Sequence, residues 1–268
     1  MRFHLTGAQA SNLQCPFCQN AAISMAGPDC RTEFISPAAL CRLAEEMAAK
    51  PPGNIGVAFT YNEPCISYEY VLDTAKLLKA AGLKTVLVTN GMICREPLES
   101  LLPYVDAMNI DLKGFSKSFY NKLCEAELDP VLETIKTLKA SGVWVEITNL
   151  VIPGHNDDLD MISKMCTWIK TSVGVDVPVH FSRFYPMYKL TGVSPTPVIT
   201  LEKAREAGLA AGLHYVYIGN VPGHPGENTY CPHCKKMIIR RSGYNILENL
   251  VKNGKCPNCN GKIGGIWV

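Results

Sequence analysis

The strongest constraint on this chain is a repeated alternation of short β-branched runs with longer stretches of helical period. Apolar, β-branched runs fall at 55–60, 84–89, 107–112, 143–152, 177–184 and 214–218. Apolar residues at helical spacing occupy 37–49, 67–81, 97–105, 130–140, 158–171 and 201–211. Gly82, Gly142 and Gly212 stand where a helix ends ahead of the next run, a position that favours a left-handed residue. Runs such as Lys84-Thr-Val-Leu-Val-Thr89 show little alternation, which suits parallel strands covered by helices. Repeated βα units over about 220 residues leave a complete or partial barrel, or an open doubly wound sheet. Periodicity does not choose between them.

In either fold the C-terminal ends of parallel strands form the active face. Polar and glycine-bearing residues gather just there: Thr60-Tyr-Asn-Glu-Pro64, Thr89-Asn-Gly91, Asp111-Leu-Lys113, Pro153-Gly-His-Asn-Asp157 and His180-Phe-Ser-Arg183. Any one of them reads as a turn or a cap. Together on one rim they read as a site. A Pro- and Gly-rich stretch at 221–228 is a linker by composition, which divides the chain into a domain at 1–222 and a small one at 223–268.

The charge balance narrows the function. Lys and Arg number 26 against 24 Asp and Glu, a formal +2, and no basic block is present, so no nucleic-acid partner is expected. Apolar runs are interrupted well short of the roughly 18 residues of a membrane span, so no membrane partner is expected either. The first 20 residues lack the pattern of an export signal. With twelve cysteines in such a chain, the expected location is the reducing cytoplasm, where thiols meet metals more often than each other.

The cysteines are unevenly used. Cys231-Pro-His-Cys234 and Cys256-Pro-Asn-Cys259 are two Cys-x2-Cys pairs with 21 residues between them. Four thiolates so spaced close a tetrahedron around zinc, with a hairpin near 237–240 filling the gap. A tail of about 40 residues has little core of its own, so a metal staple is physically motivated. Four protein ligands leave no open position, which points to a structural or docking role. Near the N-terminus, Cys15-Pro-Phe-Cys18 is a third pair; on spacing alone it is half of a zinc knuckle or a redox dithiol. Cys30, Cys41, Cys65, Cys94, Cys124 and Cys166 are singletons, each expected as a small buried apolar side chain.

The segment Ser11-Asn-Leu-Gln-Cys15-Pro-Phe-Cys18-Gln-Asn20 resembles the radical S-adenosylmethionine (SAM) signature Cys-x3-Cys-x-aromatic-Cys. Further along, Thr60 to Pro64, Thr89 to Gly91, Asn109 to Lys113, 146–157, Pro178 to Arg183, Tyr217 to Asn220 and the terminal cysteines resemble, in order, the radical SAM enzyme of the AmmeMemoRadiSam system. That group is similar in turn to pyruvate formate-lyase activating enzymes. The resemblance implies an α/β fold, a partial (βα)6-type barrel followed by a small zinc ribbon. It implies a [4Fe-4S] cluster held by three residues of the signature, its fourth iron open to SAM, and reductive cleavage of SAM to a 5′-deoxyadenosyl radical. It places Phe17 near the adenine, Asn62 and Glu63 at the methionine ammonium, and Thr89, Asp111, Lys113 and His180 at other contacts to SAM or its carboxylate. An electron donor such as flavodoxin or ferredoxin is implied as partner, with a protein or a small molecule as substrate. Activation of a glycyl-radical enzyme is one such reaction.

The chain departs from the signature at its first position, where Ser11 stands for cysteine, preceded by Ala10 where the family usually has glycine. A serine hydroxyl is a hard, weakly acidic donor to iron. The chain is then an altered active enzyme, a protein whose cluster draws a substitute ligand from Cys30, Cys65 or Cys94, or a degenerate homologue in which the barrel is a scaffold for a zinc-ribbon interaction module.

Overall fold

A computed structural model of the chain describes residues 3–6, 10–26 and 33–267. The strands are β1 Phe3–Thr6, β2 Gly56–Phe59, β3 Lys84–Thr89, β4 Ala107–Asp111, β5 Trp144–Val151, β6 Val179–Arg183, β7 Val216–Gly219, β8 Thr229–Tyr230, β9 Met237–Ser242 and β10 Asn245–Asn249. The helices are α1 Ala21–Ser24, α2 Pro37–Ala48, α3 Tyr68–Ala80, α4 Arg95–Leu101, α5 Lys117–Phe119, α6 Leu128–Ser141, α7 Leu159–Ser172 and α8 Val198–Ala210. The six runs and six helical stretches expected from periodicity correspond to β2–β7 and to α2, α3, α4, α6, α7 and α8. The chain divides into two compact units: Met1–Leu112, Tyr120–Val145 and Met187–Lys189 form the first, and Lys113–Phe119, Glu146–Pro186 and Leu190–Val268 the second.

In the first unit β1 to β4 pair in parallel and in chain order, with Phe3 opposite Gly56, Gly56 opposite Lys84 and Val86 opposite Ala107. Helix starts and stops follow local chemistry. Ser36 accepts the Ala39 N–H at 3.3 Å ahead of Pro37, and α6 stops at Gly142 with φ 80°. Gly56 is required for a different reason: a Cβ there would lie 1.9 Å from the Lys84 carbonyl oxygen, so β2 and β3 approach too closely for any side chain. Two pieces were not legible in the sequence. One is β1, whose four residues are too few to show a period. The other is a π-helical turn at Tyr120–Cys124, which buries Tyr120 and Cys124.

In the second unit β5, β6 and β7 are parallel neighbours, with Thr148 opposite His180 and His180 opposite Tyr217. Asp158 caps α7 by accepting the Asp160 N–H at 2.9 Å. Along β3 and β5, buried residues alternate with half-buried ones.

The tail of the second unit is a three-stranded antiparallel sheet in the order β10-β9-β8, which includes the hairpin expected near 237–240. Its small core joins Cys231, Ile238, Ile239, Cys256 and Ile263 to Tyr215, which leads into β7. The Tyr215 hydroxyl also accepts the Gly264 N–H at 2.8 Å. A boundary at 222/223 therefore falls between elements that share one core. Among the described residues no helix is long and apolar enough to cross a membrane.

Candidate functional site

The tail cysteines form two matching knuckles. In the first, the Cys231 N–H donates to the Lys236 carbonyl and the Lys235 N–H to the Cys231 carbonyl; in the second, Cys256 and Asn260 repeat the pattern with Gly261 and Cys256. Lys235 and Asn260, each one residue past its pair, both take positive φ, 61° and 59°. The turn chemistry is thus local, and the fold only has to bring the pairs together. It does: the four sulfurs lie within 4.8 Å of one another, with Cys231 Sγ 3.6 Å from Cys259 Sγ and Cys234 Sγ 3.7 Å from Cys256 Sγ. Burial raises the Cys256 thiol, but the N–H groups of Asn258 and Cys259 and the sulfurs of Cys231 and Cys234 outweigh it and draw Cys256 down to about 6, while the same sulfurs push Cys259 up to about 12. Four soft donors converging with one already inclined to ionise fit a tetrahedral metal.

The first unit carries the remaining polar rim. Glu63, in the loop after β2, is 1% exposed and accepts at both oxygens: the Thr89 hydroxyl at 2.6 Å and the Cys65 N–H at 3.0 Å on Oε1, and the Asn90 N–H at 2.8 Å on Oε2. Burial raises its pKa against the pull of these donors. Thr89, which ends β3, passes the network on by accepting the Gly91 N–H at 3.1 Å. Gly91 has φ 77° and lies so close to Ile110 that a Cβ would sit 3.0 Å from Cγ2. Glu63 thus spends its carboxylate on holding the β2 and β3 loops together.

Asn62 is different. Both its Oδ1 and its Nδ2 are buried with no hydrogen-bond partner. A buried amide with neither end satisfied costs several kcal/mol unless a ligand or water meets it. Among the described residues of this rim, it is the candidate whose side chain is left for something else.

The N-terminal loop is tied to the same rim. The Ala10 carbonyl accepts the Glu63 N–H at 3.3 Å, and Asn12 is held by Asn90 Nδ2 at 2.6 Å and by the Met92 carbonyl at 2.9 Å. The Asn12–Asn90 pair was not singled out from the sequence, because residues 78 positions apart carry no local signal. On this loop Cys15 is buried, Cys18 is half-buried with its sulfur 3.0 Å from Ser24 Oγ, and Ser11 Oγ accepts the Leu13 N–H at 3.2 Å. Phe17, the residue the resemblance places near the adenine, is buried at 2% exposure. Asp111 ends β4. Two thiols and a hydroxyl at the signature's spacing, on a loop bonded through Ala10 to the segment that carries the unsatisfied Asn62 amide, form a donor set that fits a cluster and the amino-acid end of SAM, with one oxygen in place of a sulfur.

Two expected residues belong to the second unit. The Lys113 carbonyl accepts Asn156 Nδ2 at 2.7 Å. His180 was expected among groups lying just after a strand, yet it is the second residue of β6, and Arg183 ends that strand. Its Nε2 is 2.7 Å from Glu146 Oε2, and its ring stacks on Tyr217 with centroids 5.1 Å apart. The motif Val179-His-Phe-Ser-Arg183 is strand throughout, because alternate residues Val179 and Phe181 fill the helix side. Of the singletons, Cys41, Cys124 and Cys166 are buried as expected, Cys94 is exposed, and Cys30 lies outside the described residues.

Comparison with known proteins accords with this arrangement. The sequence family described as the Radical SAM superfamily matches residues 8–166. The chain is 44% identical over 255 residues to the uncharacterized protein MJ0808 of Methanocaldococcus jannaschii, covering 94% of this chain and 74% of that protein. It is 28% identical over 162 residues to the pyruvate formate-lyase 1-activating enzyme of Escherichia coli K12, covering 56% of this chain and 66% of the enzyme. Among solved structures, Streptococcus suis SuiB bound to S-adenosylmethionine superposes with a TM-score of 0.64 at 13% identity, over 82% of this chain and 51% of that one. A domain of a pyruvate-formate lyase-activating enzyme from Bacteroides vulgatus gives 0.55 at 16% identity, over 61% of this chain and 98% of the domain. These structures show the expected α/β partial-barrel fold, and the sequence match covers more than half of the chain. The chain belongs to the radical SAM superfamily.

Proposed function

We propose that this protein is a radical SAM enzyme that carries a [4Fe-4S] cluster on its N-terminal loop and binds SAM at the strand ends of its first unit. Asn62 carries the reading. Its amide offers a donating NH2 and an accepting oxygen, unsatisfied and buried, which matches a carboxylate and an ammonium on one α-carbon. Cys15 and Cys18 supply thiolates to iron. Glu63, Thr89 and Asn90 keep the loop that presents Asn62 from moving, and burial of Glu63 keeps water from competing there. When bound and reduced, the cluster would supply the electron for reductive cleavage of SAM to a 5′-deoxyadenosyl radical, a hydrogen-abstracting agent. The likeness to activating enzymes favours chemistry of the activating kind on a protein or small molecule, with a flavodoxin- or ferredoxin-like electron donor, in the cytoplasm. The four tail cysteines hold zinc, and a closed tetrahedron makes that metal structural.

The test is anaerobic reconstitution with iron and sulfide, followed by SAM and dithionite. A brown protein that releases 5′-deoxyadenosine supports the reading; a colourless protein that leaves SAM intact overturns it. Ser11 and the exposed Tyr244, Ile246 and Leu247 of the tail hairpin favour a second reading, an interaction scaffold on a retired barrel. A colourless protein with zinc in its tail is the result expected of that scaffold.

A further inference from the structure

The backbone at Ala10 has φ 99°, in the region that glycine occupies readily and alanine enters only under strain. Such strain persists only where surrounding contacts over-determine it. They do so on both sides of Ser11. Before it, the Ala10 carbonyl is bonded to the Glu63 N–H; after it, Asn12 is clamped between Asn90 and Met92. Further on, the Gln14 N–H donates to the Cys124 carbonyl, and the Pro16 carbonyl accepts the Lys189 N–H. The loop that presents Cys15 and Cys18 is thus pinned along its length, and the strained turn at its start serves to aim residue 11.

Ser11 is half-buried, and its Oγ already accepts the Leu13 N–H at 3.2 Å. An N–H directed at this oxygen favours negative charge on it, as N–H groups do for cluster thiolates. The alternative donors are less suitable. Cys65 turns its sulfur toward Thr89 Oγ1 at 3.8 Å, inside the Glu63 network, and burial pushes its thiol pKa up. Cys94 is exposed at the start of α4.

We propose that Ser11 Oγ, as an alkoxide, is the third protein ligand of the iron–sulfur cluster, beside Cys15 and Cys18. On ligation of a cluster iron the Oγ–H bond breaks, an Oγ–Fe bond forms and the proton leaves to solvent, and this ligand-binding step leaves the oxidation states of iron and sulfide unchanged. The inference rests on the radical SAM reading, but its failure is separable from the failure of that reading.

The experiment uses the full chain, its Ser11→Ala and Ser11→Cys variants, reconstituted anaerobically with ferric iron, a thiol reductant and sulfide and then desalted. Acid-labile sulfide is the main readout, because iron bound by the tail cysteines alone carries none; EPR of the reduced proteins is the second. Parent protein should hold about four labile sulfides per chain and Ser11→Ala about three-fold fewer. Ser11→Cys should match or exceed the parent and give a different EPR spectrum, because one ligand atom has changed. Equal sulfide and identical spectra in parent and Ser11→Ala overturn the proposal, as does a parent without sulfide whose Ser11→Cys variant is full. If Ser11→Ala does not fold, identical spectra of the parent and Ser11→Cys overturn it. Absence of labile sulfide from all three proteins overturns the radical SAM reading itself, and the ligand proposal with it.

Discussion

The carboxylate of Glu63 accepts the hydroxyl of Thr89 at 2.6 Å, joining the loop after β2 to the last residue of β3 across 26 positions of sequence. The same carboxylate takes N–H groups from Cys65 and Asn90, so three donors converge on one buried acid. Glu63→Gln keeps the shape but turns one acceptor into a donor that faces another donor. A hydrogen bond to a charged group is worth about 1.5–3 kcal/mol, and the variant should lose about that much unfolding stability. Its SAM affinity, read by calorimetry, should fall about ten-fold, because the loop holding Asn62 loosens. An unchanged denaturation midpoint would count against the network.

Glu63 also predicts a pH dependence. Its folded pKa is raised above the ordinary 4.5, so the folded state binds the extra proton between that value and the raised one. Across that window stability should fall as pH rises, by the difference in protons bound. Comparison of the parent with Glu63→Gln in denaturant titrations from acid to neutral pH isolates this contribution: the difference between them should shrink toward neutral pH. A difference that grows over that range would reverse the assignment.

Ala10→Gly removes the backbone strain at φ 99° without touching a side-chain contact. The folded state should gain up to about 1 kcal/mol, partly offset by the greater freedom of glycine in the unfolded chain. Ala10→Val should be destabilising. A stabilising valine would show that the turn is not as described.

For the tail, replacement of any one of Cys231, Cys234, Cys256 or Cys259 by serine should release one equivalent of metal and open residues beyond about Glu227 to protease. Because Tyr215 belongs to the tail's core, the end next to β7 should loosen as well. Metal analysis of protein prepared without chelator, together with limited proteolysis, reads both effects. Protein free of zinc and iron at this site would remove the case for a ribbon.

His180 is bonded to Glu146 and stacked on Tyr217 within the second unit. His180→Ala should therefore act on stability, by about 1–2 kcal/mol, more than on SAM affinity. A ten-fold loss of affinity with an unchanged midpoint would instead support the contact to SAM that the family resemblance gives it.

The sequence by itself determined the order of β2–β7 and their helices, because burial imposes a period on each element and glycine closes the helices. It also determined the two metal knuckles, whose turns are made by residues within each Cys-x2-Cys segment. The signature at 11–18 is local in the same sense, which is why Ser11 was visible as a departure. Tertiary structure alone decided which rim residues keep a free side chain. Asn62 and Glu63 are neighbours of similar polarity, yet Glu63 is consumed by Thr89 and Asn90 while Asn62 is left unsatisfied. His180 looked like a rim residue until strand register set it opposite Thr148 and Tyr217, beside Glu146. The physical reason is that a hydrogen-bonding side chain finds its partner in space, and partners 26, 34 or 78 residues away leave no trace in a local pattern.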